Sequence, residues 1–502
     1  MTQSPAAALC RALLYTLLGA AAAAAPAAAQ DALPATVRQA LRQADLPADA
    51  LAAVALPLQG SFWLRPWQHQ ARVPMQPAST MKVLTSVVAL DRLGPNHRGH
   101  TELRSAAPLA AGTLQGDLVL KGGADPELGV PQFWALLLDL RQAGVTHIAG
   151  NLLVDRSLFR PARFDQGLPP FDESPEFPYN VIPDALLLAG NLLPLEIRAT
   201  ETGVVASTVP ALPGLEITSR MTLSTRACSS WDDDWKPAQV SQHDGRTQIE
   251  LHGAFPRGCT QRAALQLIDR QELTERLFRT LWQGLGGTWA GRALEQAAPE
   301  GTRSLARRQG RPWGEVLRHL NKTSDNALTR LLFLQLGVPA MAAEPQATTR
   351  DLADRAVRQW LAEQGIADEG LVLDNGSGLS RLERITPWQL ASTLRVSHAS
   401  RFAAELSMSL PVAGVDGGLR RRLAESPAAG WARLKSGTLR NVVALAGYVN
   451  DPEGRPWAVA MMVNHDRASA ARPVLDALVD HIARHGPHGP QAMPSGPQGD
   501  GP

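Results

Sequence analysis

Apolar residues recur at helical spacing from Leu33 to Leu46, and the chain then changes period. Leu51 to Leu58 and Ser61 to Leu64 alternate like a pair of strands joined near Gly60. A helix follows: Pro77 marks its start, Thr80 to Leu93 carries the apolar stripe, and Gly94-Pro95 stops it. Between about His97 and Gly301 the texture is short β-like runs, such as Gly116-Asp117-Leu118-Val119-Leu120 and Gly150-Asn151-Leu152-Leu153-Val154, punctuated by Gly and Pro. Helical periods return at Glu315 to Leu320, Asn326 to Leu336 and Thr348 to Gln364. A strand pair near Val442 to Asn450 and Trp457 to Val463 leads into a last helix, Ala468 to Arg484. The order predicts an α/β domain split between residues 30–96 and 301–485. Residues 97–300 are a mostly β insert, and the Gly/Pro-rich stretch 486–502 is expected to be a disordered tail.

Length supports the split, since 502 residues exceed what a single core comfortably fills. A net charge of +2 leaves no basic excess for a phosphate backbone, so nucleic acid is not an expected partner. Arg11, the apolar stretch Ala12 to Ala25 and the small residues Ala27-Ala28-Ala29 predict a signal peptide over residues 1–29, hence export to the periplasm. A retained membrane anchor is the alternative, but the stretch falls short of the roughly 20 strongly apolar residues that span a bilayer. Cys10 lies in that leader. Cys228 and Cys259 remain, and an even pair in an exported chain favours a disulfide over two buried thiols. Histidines and cysteines are scattered without metal-ligand spacing, so no metal or other cofactor is expected. The 12 tryptophans, Trp313 and Trp388 included, are expected in the core.

Candidate chemistry lies in three short motifs: Ser79-Thr80-Met81-Lys82, Ser324-Asp325-Asn326 and Lys435-Ser436-Gly437-Thr438. Each alone is weak, since a serine three residues before a lysine also describes a capped helix start. Lysine usage sharpens the signal. Among 49 basic residues the lysines are only Lys82, Lys121, Lys236, Lys322 and Lys435, and two of them sit in the motifs. Arginine serves elsewhere, yet arginine does not give up its proton, whereas a buried lysine can be tuned to act as a base. Positions i and i+3 share a helix face, so Lys82 can reach the Ser79 hydroxyl, and a serine nucleophile and its lysine base would be adjacent. A helix N-terminus adds favourable potential for negative charge developing there.

The three motifs resemble those of penicillin-binding proteins and serine β-lactamases. With Pro77-Ala78 before the first, Asn321-Lys322-Thr323 before the second, Asp374-Asn375-Gly376-Ser377-Gly378-Leu379-Ser380-Arg381, Leu410 to Leu419 and Gly122-Gly123-Ala124-Asp125-Pro126, the chain resembles the D-alanyl-D-alanine carboxypeptidase/endopeptidase family of class C low-molecular-mass penicillin-binding proteins. That resemblance implies a transpeptidase-type α/β fold, an antiparallel sheet flanked by helices. It implies peptidoglycan stem peptides as substrates, ending in D-Ala-D-Ala or cross-linked through D-Ala, and β-lactams as covalent inhibitors. Ser79 would be acylated and Lys82 would take its proton. Ser324 would relay a proton to the leaving nitrogen, and Asn326 would hold Lys82 and the substrate amide. Lys435 would meet the terminal carboxylate together with Ser436 and Thr438, with the Ser79 and Thr438 amides as oxyanion donors. Gly437 has a reason of its own: a substrate laid along an edge strand needs backbone without a Cβ. Asp155 and Arg381 are candidates for recognising a side-chain carboxylate or amine, or else plain ion-pair and loop anchors. The third motif departs from the commoner Lys-Thr-Gly at Ser436, which keeps the hydroxyl and loses a methyl.

Two other readings compete. A class A β-lactamase shares the first two motifs, but roughly 240 residues separate Lys82 from Ser324 here, room for whole inserted domains, and no glutamate stands out as a deacylating base. A wall-peptide binding module built on the same fold has no need of Ser79, Lys82 and Lys435 together.

Overall fold

A computed structural model describes residues 31–58 and 64–489. The leader, the far tail and Gln59 to Trp63 lie outside the described residues. At the centre is a five-stranded antiparallel sheet in the order Arg433–Leu439, Val442–Asn450, Pro456–Asn464, Leu51–Pro57, Trp67–His69. Its inner strands are apolar almost throughout because both faces are covered, and side chains alternate between two cores. Ala52, Val54, Leu56, Ala444 and Ala446 join the core under the helices Met81–Leu93, Asn326–Gly337 and Pro387–Ala399. Ala53, Ala55, Val443 and Leu445 join the opposite core, against Ala35–Gln43 and Arg472–His485.

Of the expected second strand, Ser61 to Trp63 lie outside the described residues. Leu51–Pro57 pairs with Trp67–His69, Ala55 facing Trp67, and Leu64 is outside any strand. Trp67, 2% exposed, is the large apolar residue that anchors this short edge strand on the core.

The insert has a core of its own and is less purely β than its texture suggests. Its main sheet runs Ala293–Glu295, Leu152–Asp155, Leu118–Gly123, His100–Ser105, Arg303–Gln309. Leu118–Gly123 pairs with Leu152–Asp155 in parallel, as does Leu152–Asp155 with Ala293–Glu295. Parallel neighbours need crossovers, and the helices Val130–Gln142 and Arg270–Gly284 lie on those two connections. Arg303–Gln309 pairs with His100–Ser105, so the inserted sheet extends past Gly301. Phe159, Val181, Ala185 and Leu187 leave the insert and pack into the core beneath the nucleophile helix. Cys228 and Cys259 are disulfide-bonded, with Cα atoms 5.4 Å apart. Among the described residues no helix is long and apolar enough to cross a membrane. Trp67, Trp282, Trp313, Trp360 and Trp457 are buried, while Trp431 is 73% exposed.

Candidate active site

Ser79 lies on one 3-10 turn, Ala78–Thr80, that runs directly into Met81–Leu93. Thr80 Oγ1 donates to the Pro77 carbonyl at 2.7 Å, and Ala78 takes a positive φ of 44°. The one-turn spacing places Lys82 Nζ 3.2 Å from Ser79 Oγ. The same nitrogen donates to Asn326 Oδ1 at 2.6 Å and to the Ser377 carbonyl at 2.5 Å. A neutral amine has two hydrogens and one lone pair; with both hydrogens taken, the lone pair is left for the serine. Burial, and then the nearby Lys435, push Lys82 well below the ordinary lysine range, with Glu383 and Asp325 opposing.

The second motif forms a corner between two helices. Ser324 ends Trp313–Thr323 in the left-handed conformation, φ 62°, and Asp325 caps Asn326–Gly337 by accepting from the Leu328 amide. A non-glycine residue there costs about 1–2 kcal/mol, a strain typical of functional corners. Ser324 Oγ accepts from Lys435 Nζ at 2.9 Å. Lys435 also donates to its neighbour's carbonyl, Ser436 O, at 2.7 Å, and burial pushes it down to about 7. Asn326 Nδ2 donates to the Tyr179 carbonyl at 3.0 Å, which leaves one amide hydrogen uncommitted.

Arg433–Leu439 is an edge strand, open along the side where an extended peptide can pair. On this strand Ser436 is half-buried beside Gly418, and Thr438 is exposed. Gly437 also has a reason within the chain. A Cβ there would come 2.9 Å from the Pro77 carbonyl and 2.9 Å from the Ser79 amide nitrogen. The crowded neighbour is the nucleophile turn itself. Gly378, φ 83°, faces the other side of that turn, where a Cβ would overlap the Ala78 carbonyl.

Asp155 is not brought to the motifs. One oxygen accepts from the Ser157 amide at 2.8 Å, the other from Ala298 at 3.1 Å, and Lys121 stands 3.8 Å away. All three lie with it in the insert, which makes it a loop anchor. Arg381 is exposed on the loop that carries Ser377, its guanidinium 4.9 Å over the Phe171 ring. Its carbonyl accepts from Gln76, three residues before Ser79.

Sequence reasoning missed Tyr179, Arg330, Glu383 and the role of Ser377. Tyr179 and Ser377 act through backbone carbonyls, for which residue type carries no signal. Arg330 is buried and donates to the Asn180, Val181 and Leu379 carbonyls, and burial pushes it down to about 10. Among the described residues no group of three or more His, Cys, Asp or Glu side chains is arranged to hold a metal ion.

A serine beside a buried amine, a second serine–lysine pair and an open edge strand define an active-site serine enzyme of the acyl-transfer class. The chain belongs to the D-Ala-D-Ala carboxypeptidase 3 (S13) family, which its residues 33–485 match. It is 29% identical over 447 residues to the D-alanyl-D-alanine carboxypeptidase of Actinomadura sp. (strain R39), covering 85% of this chain and 80% of that one. It is 28% identical over 405 residues to the D-alanyl-D-alanine carboxypeptidase DacB of Haemophilus influenzae, covering 78% and 80%. In fold it is similar to the crystal structure of penicillin binding protein 4 (dacB) from Haemophilus influenzae, with a TM-score of 0.73 and 24% identity over 89% of this chain and 99% of that one. It is a serine-type D-Ala-D-Ala carboxypeptidase.

Proposed function

We propose that the mature chain works in the periplasm on peptidoglycan stem peptides, with Ser79 as nucleophile and Lys82 as its base. The observation that carries this is the buried Lys82 amine, its hydrogens engaged by Asn326 and Ser377 and its lone pair free for Ser79. Ser79 Oγ attacks the carbonyl of the penultimate D-alanine as its proton passes to Lys82 Nζ. The Ser79 and Thr438 amides take the oxyanion, each such donor typically worth about 10²–10³ in rate. Collapse breaks the peptide bond, and the proton that Lys82 took from Ser79 passes through Ser324 Oγ, held by Lys435, to the departing D-alanine nitrogen, which returns Lys82 to the neutral amine. The resulting ester on Ser79 is hydrolysed by water, with Lys82 again as base. Lys435 meets the terminal carboxylate, which favours its charged form on binding. Ser436 and Thr438 hydroxyls complete that subsite, and the remaining Asn326 amide hydrogen meets the substrate's acyl-side carbonyl. Arg381, beside Gln76 at the rim, is placed to meet a charged group on the stem peptide. The same geometry accepts a peptide cross-linked through D-alanine, so endopeptidase action needs no further group.

β-Lactams present a strained amide to the same serine. The penicillin binding protein 4 of Haemophilus influenzae, also known in complex with a β-lactam, shares this fold with a TM-score of 0.66. Intact mass after brief exposure to benzylpenicillin, wild type beside Ser79→Ala, is the test. A long-lived adduct that requires Ser79 is expected. Hydrolysis without accumulation turns the reading to a lactamase, and no reaction at all to a binding module.

A further inference from the structure

Glu383 is a fully buried carboxylate that makes no ion pair among the described residues, and it lies outside all three motifs. Its Oε1 accepts from the amides of Asp374 (3.3 Å), Asn375 (3.0 Å) and Gly376 (2.7 Å), and its Oε2 from Gly378 (2.8 Å). Four backbone donors thus wrap residues 374–378 around one side chain. That loop reaches the nucleophile in three places. The Ser377 carbonyl accepts from Lys82 Nζ, the Gly376 carbonyl accepts from Thr85 Oγ1 at 2.7 Å, and Gly378 lies flat on the Ala78 carbonyl. We propose that Glu383 is a positioning residue whose ionised carboxylate folds this loop onto the nucleophile turn, delivers the Ser377 carbonyl to Lys82 and supplies the negative charge facing a cluster of buried cations.

Charge accounting agrees. Lys82, Lys435 and Arg330 are all buried, and a buried charge without a counter-charge costs several kcal/mol. The charged groups that act on Lys82 are Lys435, Arg330, Glu383 and Asp325; those around Glu383 are Lys82, Arg330 and Asp374. Burial pushes the Glu383 carboxyl above its ordinary value, against the pull of its amide bonds. The anion is nonetheless the form this pocket is built for, since every partner is a donor and a neutral carboxyl would find no acceptor for its proton. Fully buried, with both oxygens bound by backbone amides, Glu383 is no base for deacylation; it acts through Lys82.

The inference rests on the reading of Lys82 as the base of Ser79, and the experiment separates the two. The rate of Ser79 acylation by a fluorescent penicillin is measured from acid to alkaline pH in wild type, Glu383→Gln and Glu383→Asp, with Ser79→Ala as blank. Loss of the charge and of the Ser377 contact both favour the neutral amine. The acid limb of Glu383→Gln is therefore expected to move down by about one pH unit, with a maximal rate lower by about tenfold or more. Glu383→Asp keeps the charge, so its limb stays with wild type while the rate falls. A folded Glu383→Gln whose limb does not move overturns the proposal. If that variant does not fold, a displaced limb in Glu383→Asp overturns it instead. A wild type that forms no Ser79 adduct removes the acyl-enzyme reading, and this inference with it.

Discussion

Burial pushes both lysines of the site below the ordinary lysine range, and the nearby Lys435 charge adds to the push on Lys82. Lys82 faces a hydroxyl and two carbonyl-type oxygens; Lys435 faces a serine and a carbonyl. Arginine at position 82 stays charged at any working pH, so Lys82→Arg is expected to lower penicillin acylation by about 10²–10⁴, measured as adduct formed per unit time on a protein that still folds. Lys435 also leaves a mark on stability. Its proton is bound less tightly in the native state, about 7 against 10.5 for an ordinary lysine. Between those values the unfolded chain holds more protons, so stability rises with pH from about 7 towards 10.5 and is flat below that window. Denaturant midpoints taken across that range should climb in wild type and climb less in Lys435→Met. Equal slopes would mean Lys435 is not desolvated. The importance of these lysines was visible in the chain, because a protein that spends arginine freely keeps lysine where a proton must move. Their depressed affinity was not, since desolvation comes from side chains far away in sequence.

At the scale of elements, the nucleophile turn is squeezed between the edge strand at Gly437 and the loop at Gly378. The two contacts differ in kind. At Gly437 a methyl would press on the Ser79 amide at 2.9 Å with ordinary strand dihedrals, so Gly437→Ala is expected to fold, with the oxyanion donor displaced and acylation slower by about 10²–10³. At Gly378 the backbone is left-handed and the methyl would overlap a carbonyl, so Gly378→Ala should lose thermal stability as well as activity. Measuring melting temperature and adduct rate on both variants checks the contrast, and a Gly437→Ala with wild-type acylation would refute it. Several helices were legible: Met81–Leu93, Asn326–Gly337, Thr349–Glu363 and Arg472–His485 stand where apolar spacing predicts them, whereas Pro387–Ala399 was not read from the sequence. Nor was the edge strand Trp67–His69, because a three-residue strand is chosen by where Trp67 finds a core and not by its own pattern.

Across the whole molecule the insert is both a separate core and part of the site. Its Tyr179 carbonyl holds Asn326, and its Asn180 and Val181 carbonyls hold Arg330, so the segment around residue 180 serves as a wall of the cleft. The disulfide sits in the other part, inside the insert's own core. Reducing it should therefore cost the insert about 2–4 kcal/mol, seen as an earlier unfolding transition under reductant, while Ser79 acylation at low temperature is unchanged. A loss of acylation on reduction, without unfolding, would show that the bond reaches the site after all. What the sequence determined by itself is whatever depends on residue type at short range: the serine and lysine one turn apart, the strongly periodic helices at either end of the chain, and the motif set that marks the family. Only the tertiary structure decided that Asp155 anchors a loop, that Gly437 makes room for the nucleophile turn, and that Glu383 is buried under Lys82. Those outcomes depend on which surfaces meet, and burial and backbone carbonyls acquire their chemistry only once distant segments have closed around them.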